Sequence, residues 1–111
     1  GTSKNYEEGV KYIRMAAEQG DASAQNNLAT CYYNGTGVDE DEEEAVEWYR
    51  KAAEQGLVSA QKRLAKCYED GIGVERNGTE ALKWLNMDGK PTKTPYSPVE
   101  MSFEEFAYDI E

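Results

Sequence analysis

Apolar and small residues recur along this chain at helical spacing, and the recurrence is itself repeated. Ala24, Leu28, Cys31 and Tyr32 fall at i, i+4, i+7 and i+8, which places them in one stripe of a helix. That stripe predicts a helix over residues 22–34, stopped at Gly35. A second helix, over 39–55, carries Ala45, Trp48, Tyr49, Ala52 and Ala53 on one face and stops at Gly56. Thirty-six positions later both patterns return. Ala60, Leu64, Cys67 and Tyr68 mark a helix over 58–70, and Ala81, Trp84 and Leu85 mark another over 76–87. A first helix, over 5–19, places Tyr12 and Ile13 in the slots of Trp48 and Tyr49, and of Trp84 and Leu85. It reads as the second helix of a copy whose first helix is missing.

The repetition extends to the letters. Residues 16–38 and 52–74 agree at 15 of 23 positions. Ala24/Ala60, Leu28/Leu64 and Cys31/Cys67 stay fixed, whereas Asn26/Lys62, Asn27/Arg63, Thr30/Lys66 and Tyr33/Glu69 change. An amphipathic helix pair of this size cannot bury its own apolar faces, so each copy has to complete the core of the next. The expected fold is therefore all-α, a solenoid of stacked antiparallel helix pairs. Alanines at 16, 17, 24, 52, 53 and 60 permit close helix approach, and Trp48 and Trp84 fill the wider gaps. The expected organisation is a repeat array over 1–87 (lone second helix 5–19, repeats 21–55 and 57–87), an irregular linker over 88–101 and a terminal helix over 102–111.

The fixed residues compose A-x-x-x-L-A-x-C-Y-x-x-G-x-G-V followed by A-x-x-W-x-x-K-A-A-E-Q-G, and over about residues 5–87 this resembles the Sel1-like repeat, a relative of the tetratricopeptide repeat. The resemblance implies a right-handed superhelix with a concave face, used by adaptors that hold other proteins together, and no shared enzymatic activity. Where a third K-A-A-E-Q-G would follow Trp84 the chain reads N-M-D-G-K-P, so the array is expected to end there.

Composition narrows the partners. The chain of 111 residues has net charge −10 and no histidine. Such a surface repels polyanions, so neither nucleic acid nor an anionic membrane is an expected partner. Without histidine the commonest general base and metal ligand is missing. No apolar run reaches the roughly 18–20 residues of a membrane span. The opening Gly1-Thr2-Ser3-Lys4 lacks both Met and a signal-peptide core, which suggests a piece of a longer protein. Cys31 and Cys67 occupy one slot of successive copies, about one interhelical spacing or more apart, too far for a disulfide. They are expected to be free, small, buried residues. Free thiols favour the cytoplasm, whereas two N-x-T sequons, at Asn34 and Asn77, would suit a secretory compartment.

Candidate chemistry is thin. Ser59-Ala60-Gln61-Lys62 matches S-x-x-K of penicillin-binding enzymes, but the equivalent slot of copy one is Asn26 and no S-D-N or K-T-G accompanies it. The acidic run at 39–44 lacks the glycine and ligand spacing of a calcium loop, and suits a helix N-terminus. No catalytic residue, metal ligand or cofactor is assigned. The informative positions are the variable stripe of the first helices, Asn26, Thr30 and Tyr33 with Lys62, Lys66 and Glu69, which in a tetratricopeptide-like arrangement would line a concave groove for a protein or peptide. The rival reading is a structural spacer within a larger multidomain protein.

The tail supplies a separate expectation. Residues 88–101 hold all three prolines and could extend about 45 Å. In 102–111, Ser102 and Glu105 form a capping box, and Phe103, Phe106, Ala107 and Ile110 form a helical stripe with acids opposite. So short a helix is marginal alone. Of two apolar acceptors, the array end open after Trp84 and the concave groove, it is expected to dock on the first as a cap on its own chain, or on a second copy to give a homodimer by exchange.

Overall fold

The computed structural model describes residues 2–92, and within them the regular secondary structure is all α-helix. Five helices come in order: α1 (Thr2–Glu18), α2 (Ala22–Asn34), α3 (Glu42–Glu54), α4 (Val58–Asp70) and α5 (Gly78–Leu85). Each packs on the next, α1 on α2, α2 on α3, α3 on α4 and α4 on α5. The result is a row of helix pairs, the α-solenoid that the periodicity predicts. The linker and terminal helix expected over 93–111 lie outside the described residues.

Helix ends are set by local chemistry. Asp21, Asp41 and Asn77 are N-caps, each accepting from the backbone N–H three residues on. Asp41 and Asn77 share a repeat slot, and their caps explain why α3 and α5 start later than the apolar pattern alone suggests. The acids Glu42, Glu43 and Glu44 fill the first turn of α3, where the helix dipole favours them. Asn77 of the second N-x-T sequon therefore already serves a backbone donor. Leu57 replaces Asp21 in the second copy and makes no cap hydrogen bond; it packs against the core instead. Gly35 and Gly71 close α2 and α4 in the left-handed conformation at φ 71°.

One core runs the length of the row, from Val10 and Ala17 through Leu28, Ala45, Trp48, Tyr49 and Leu64 to Trp84. Two glycines decide how closely its layers approach. A Cβ on Gly37 would meet the Tyr6 carbonyl oxygen at 2.6 Å, and one on Gly73 would meet that of Glu42 at 2.3 Å. Both residues also have positive φ. The second glycine of each G-x-G-V thus lets the loop after a first helix lie directly on the backbone of the preceding helix.

Tyr12 departs from expectation. Its slot partners Trp48 and Trp84 are buried, yet Tyr12 is 72% exposed. The aromatic slot faces the first helix of its own pair: Trp84 is covered although, among the described residues, α5 packs chiefly on α4. Among the described residues α1 has no such helix, only α2 on its other side. Leu85, in the apolar stripe of copy two, is likewise half exposed, because no helix among the described residues comes after α5.

Gly73→Ala should destabilise by about 2–4 kcal/mol, the sum of left-handed strain and overpacking. Gly9→Ala should instead stabilise by about 0.5–1 kcal/mol, because Gly9 lies within α1 and a Cβ there meets nothing within 4 Å. Urea unfolding of the two variants measures both signs.

Candidate functional site

The variable stripe lies on α2 and α4, the first helices of successive pairs, and Tyr49 of α3 fills the space between them. The Tyr49 ring is buried. Its hydroxyl is 2.8 Å from the Thr30 hydroxyl of α2, and the Arg63 guanidinium of α4 lies 6.0 Å from its ring centroid. Around it opens a small cavity of about 50 Å³, lined by Tyr33, Tyr49, Arg63, Lys66, Cys67 and Ile72. Its floor is apolar and its rim carries two cations.

The expected site residues divide among these parts. Tyr33 and Lys66 meet at the cavity. Thr30 is half-buried and committed inward, donating to the Asn26 carbonyl as well as pairing with Tyr49. The Asn26 side-chain oxygen is buried without a partner. Lys62 and Glu69 are exposed on α4. Lys66 pairs with Asp70 at 3.2 Å, and that hydrogen bond and charge push its ammonium up. Phe103, Phe106 and Ile110, the stripe expected on the terminal helix, lie outside the described residues. Arg63 joins the site without having been expected there, although its slot alternates Asn27/Arg63 as freely as the others.

Both cysteines are free, Cys67 buried and Cys31 half-buried. Burial pushes the Cys67 thiol up to about 11, with Glu42 and Asp70 adding in the same direction and Arg63 opposing. Burial also raises Cys31 and, against its hydrogen bond to Thr30 and the charge of Arg63, Tyr49.

Two further sets of polar contacts repeat with the 36-residue period and are not evident from the apolar pattern. The buried Gln25 and Gln61 donate to the carbonyls of Ala17 and Ala53, each at 3.1 Å. Arg14 and Arg50 donate to the Tyr32 and Tyr68 hydroxyls, each guanidinium 5.5 Å from the ring centroid. Both sets tie a second helix to the first helix of the next pair. Their signal lies in the repeat itself: Gln25/Gln61 is an invariant polar residue beside the buried Ala24/Ala60, and Arg14/Arg50 recurs at the repeat spacing.

Among the described residues no cluster of Cys, Asp and Glu is arranged to hold a metal, and no helix is long and apolar enough to cross a membrane.

These features define an α-solenoid of helix-pair repeats. The family model for the Sel1 repeat matches residues 1–21, 22–57 and 58–87, and the chain belongs to the Sel1 repeat family, whose repeats are commonly protein-interaction modules. Among solved structures, it is similar to a protective antigen of uropathogenic Escherichia coli with the SLR fold, at 41% identity and TM-score 0.75 over 79% of this chain. It is also similar to a Sel1 repeat protein from Oxalobacter formigenes, at 43% identity and TM-score 0.72 over 74% of this chain. The matched region spans 19% of the first protein and 34% of the second. No curated protein matches the sequence.

The raised thiol and phenol values set a pH dependence. Cys67 and Tyr49 ionise more readily unfolded than folded, so stability should be level below the ordinary thiol value of about 8.5. It should then fall as pH climbs through about 11. Thermal melts from pH 6 to 11 test this. At neutral pH, iodoacetamide should modify native Cys67 much more slowly than the unfolded thiol.

Proposed function

We propose that this chain is a non-enzymatic protein- or peptide-binding module whose ligand lies along the face between α2 and α4. The observation that carries the reading is the apolar depression over Tyr49 and Ile72, rimmed by Tyr33, Arg63 and Lys66. An aliphatic side chain of a ligand fits that floor. Carboxylates flanking it fit the strip of Lys62, Arg63 and Lys66, a basic patch on a chain of net charge −10. The favoured ligand is thus an acidic segment with an apolar anchor, held by charge pairs and one buried contact. Tyr33 contributes contact area at low entropic cost. The matched region is a small part of each similar solved protein, which supports a second reading, a spacer whose α2–α4 face binds nothing.

Selection of displayed peptides on the intact chain, repeated with Arg63→Glu/Lys66→Glu, separates the two. Both side chains are exposed, so loss of the Lys66–Asp70 pair and of the Arg63–Tyr49 contact should cost about 1 kcal/mol or less each, and the variant should remain folded at the assay temperature. Binding of enriched acidic peptides should fall by about tenfold or more and weaken with salt, as expected for exposed charge pairs. No enrichment, or enriched peptides indifferent to the double reversal, would point to the spacer.

A further inference from the structure

The outer face of α5 is the place where the repeat logic is left incomplete. Leu82 and Leu85 occupy the slots of Val46 and Tyr49. Val46 and Tyr49 are each 1% exposed, whereas Leu82 is 61% and Leu85 49% exposed. The difference arises from the elements that cover α3. Val46 lies against the G-I-G-V loop that closes α4, where its side chain comes within 2.9 Å of a Cβ placed on Gly73. Tyr49 lies under Arg63 of α4. In strict register the helix to cover α5 would occupy residues 94–106, but that stretch contains Pro95 and Pro98, which oppose a continuous helix.

We propose that residues 102–110 of the same chain cover the Leu85 side of this face, standing to Leu85 as α4 stands to Tyr49. Displaced by six positions, that segment fits a first helix at its two central core slots, although Phe103 and Asp109 stand where Gln25/Gln61 and Cys31/Cys67 do. S-F-E-E-F-A-Y-D-I-E from Ser102 aligns with A-Q-N-N-L-A-T-C-Y-Y from Ala24 and A-Q-K-R-L-A-K-C-Y-E from Ala60. Phe106 and Ala107 then fall in the slots of Leu28 and Ala29, and of Leu64 and Ala65, all of which are buried. The arginine–tyrosine latch changes on both sides at once. Arg14 and Arg50 become Asn86, and their acceptors Tyr32 and Tyr68 become Ile110, so loss of the donor is matched by loss of the acceptor.

The chain path favours supply from the same molecule. After α5 the backbone folds back over the α3–α4 turn: Gly89 donates to the buried Gln61 at 2.7 Å, Gln61 donates to the Lys90 carbonyl, and Thr92 donates to the Glu54 carbonyl at 3.0 Å. Ten residues separate Thr92 from Phe103, a reach of about 35 Å. Two interhelical spacings, about 20 Å, separate α3 from the far side of α5 in such a stack. The tether spans this, and a short tether gives an effective concentration in the millimolar range.

The test compares the intact 111-residue chain with Phe106→Asp, Leu85→Ser, their combination and the opposite-face control Glu104→Lys, by light scattering, thermal melting and hydrogen exchange. The proposal expects a monomer with protected amides in 102–110. Phe106→Asp and Leu85→Ser should each lower Tm by about 5–10 °C, a shift that a lost apolar contact produces in a domain of this size. Their combination should lower it little further, and Glu104→Lys should leave it unchanged. Unprotected amides in 102–110, or a Tm indifferent to Phe106→Asp, would overturn the proposal. So would a dimer that Phe106→Asp dissociates, which places the segment on a second copy. If Arg63→Glu/Lys66→Glu releases the segment and Leu85→Ser does not, it lies in the α2–α4 groove instead, and the proposal fails.

Discussion

Every second helix in this protein has two apolar faces, and a single helix pair can cover only one of them. α3 shows the constraint met on both sides: Tyr49 bonds to Thr30 of α2 and lies under Arg63 of α4, and Val46 is sealed by the loop after α4. Burying large apolar side chains is the main favourable term available to a small domain. The core therefore has to run through the row rather than sit within a unit. Exposure of Tyr12 at one end and of Leu82 and Leu85 at the other comes from the same rule.

Close approach is what makes that continuous core dense. Alanines at 45, 52, 53, 60 and 65 are almost fully buried, and the glycines at 37 and 73 bring loop backbone against helix backbone. Such contact leaves no room for water, so the polar groups trapped in it need partners. Gln25 and Gln61 meet that need by donating to Ala17 and Ala53. At the end of the array the same device continues with a different partner. Gln25 accepts from Gln55, but the slot after Gln55 is Pro91, and Gln61 accepts from the Gly89 backbone instead. A side-chain contact between repeats is replaced by the returning chain.

The α2–α4 face combines structural and free groups. Thr30 and Tyr49 hold the helices in place, and their hydroxyls are used within the fold. On α4, Lys62 is exposed, Lys66 is paired with Asp70 and Arg63 lies over the Tyr49 ring, so basic side chains gather beside Tyr49 on an acidic molecule. The copies differ at both kinds of position: Asn27 and Arg63 are both exposed, whereas Thr30, bonded to Tyr49, is replaced by the exposed Lys66.

The sequence alone determined the helices and their order, because a stripe such as Ala24, Leu28, Cys31 and Tyr32 is written in local spacing and repeated 36 residues later. It also identified the family through residues that serve that packing. What it could not determine is which members of a stripe are covered, since Tyr12 and Trp48 occupy the same slot and differ only in whether a helix lies beside them. It did not separate Thr30, which turns inward to Tyr49, from Lys66, which faces out, because both stand on one variable stripe and orientation depends on the neighbouring helix. Arg63 at the cavity and the Arg50–Tyr68 latch join residues from different helices. Such contacts exist only once α3 and α4 are packed, so the tertiary structure decided them.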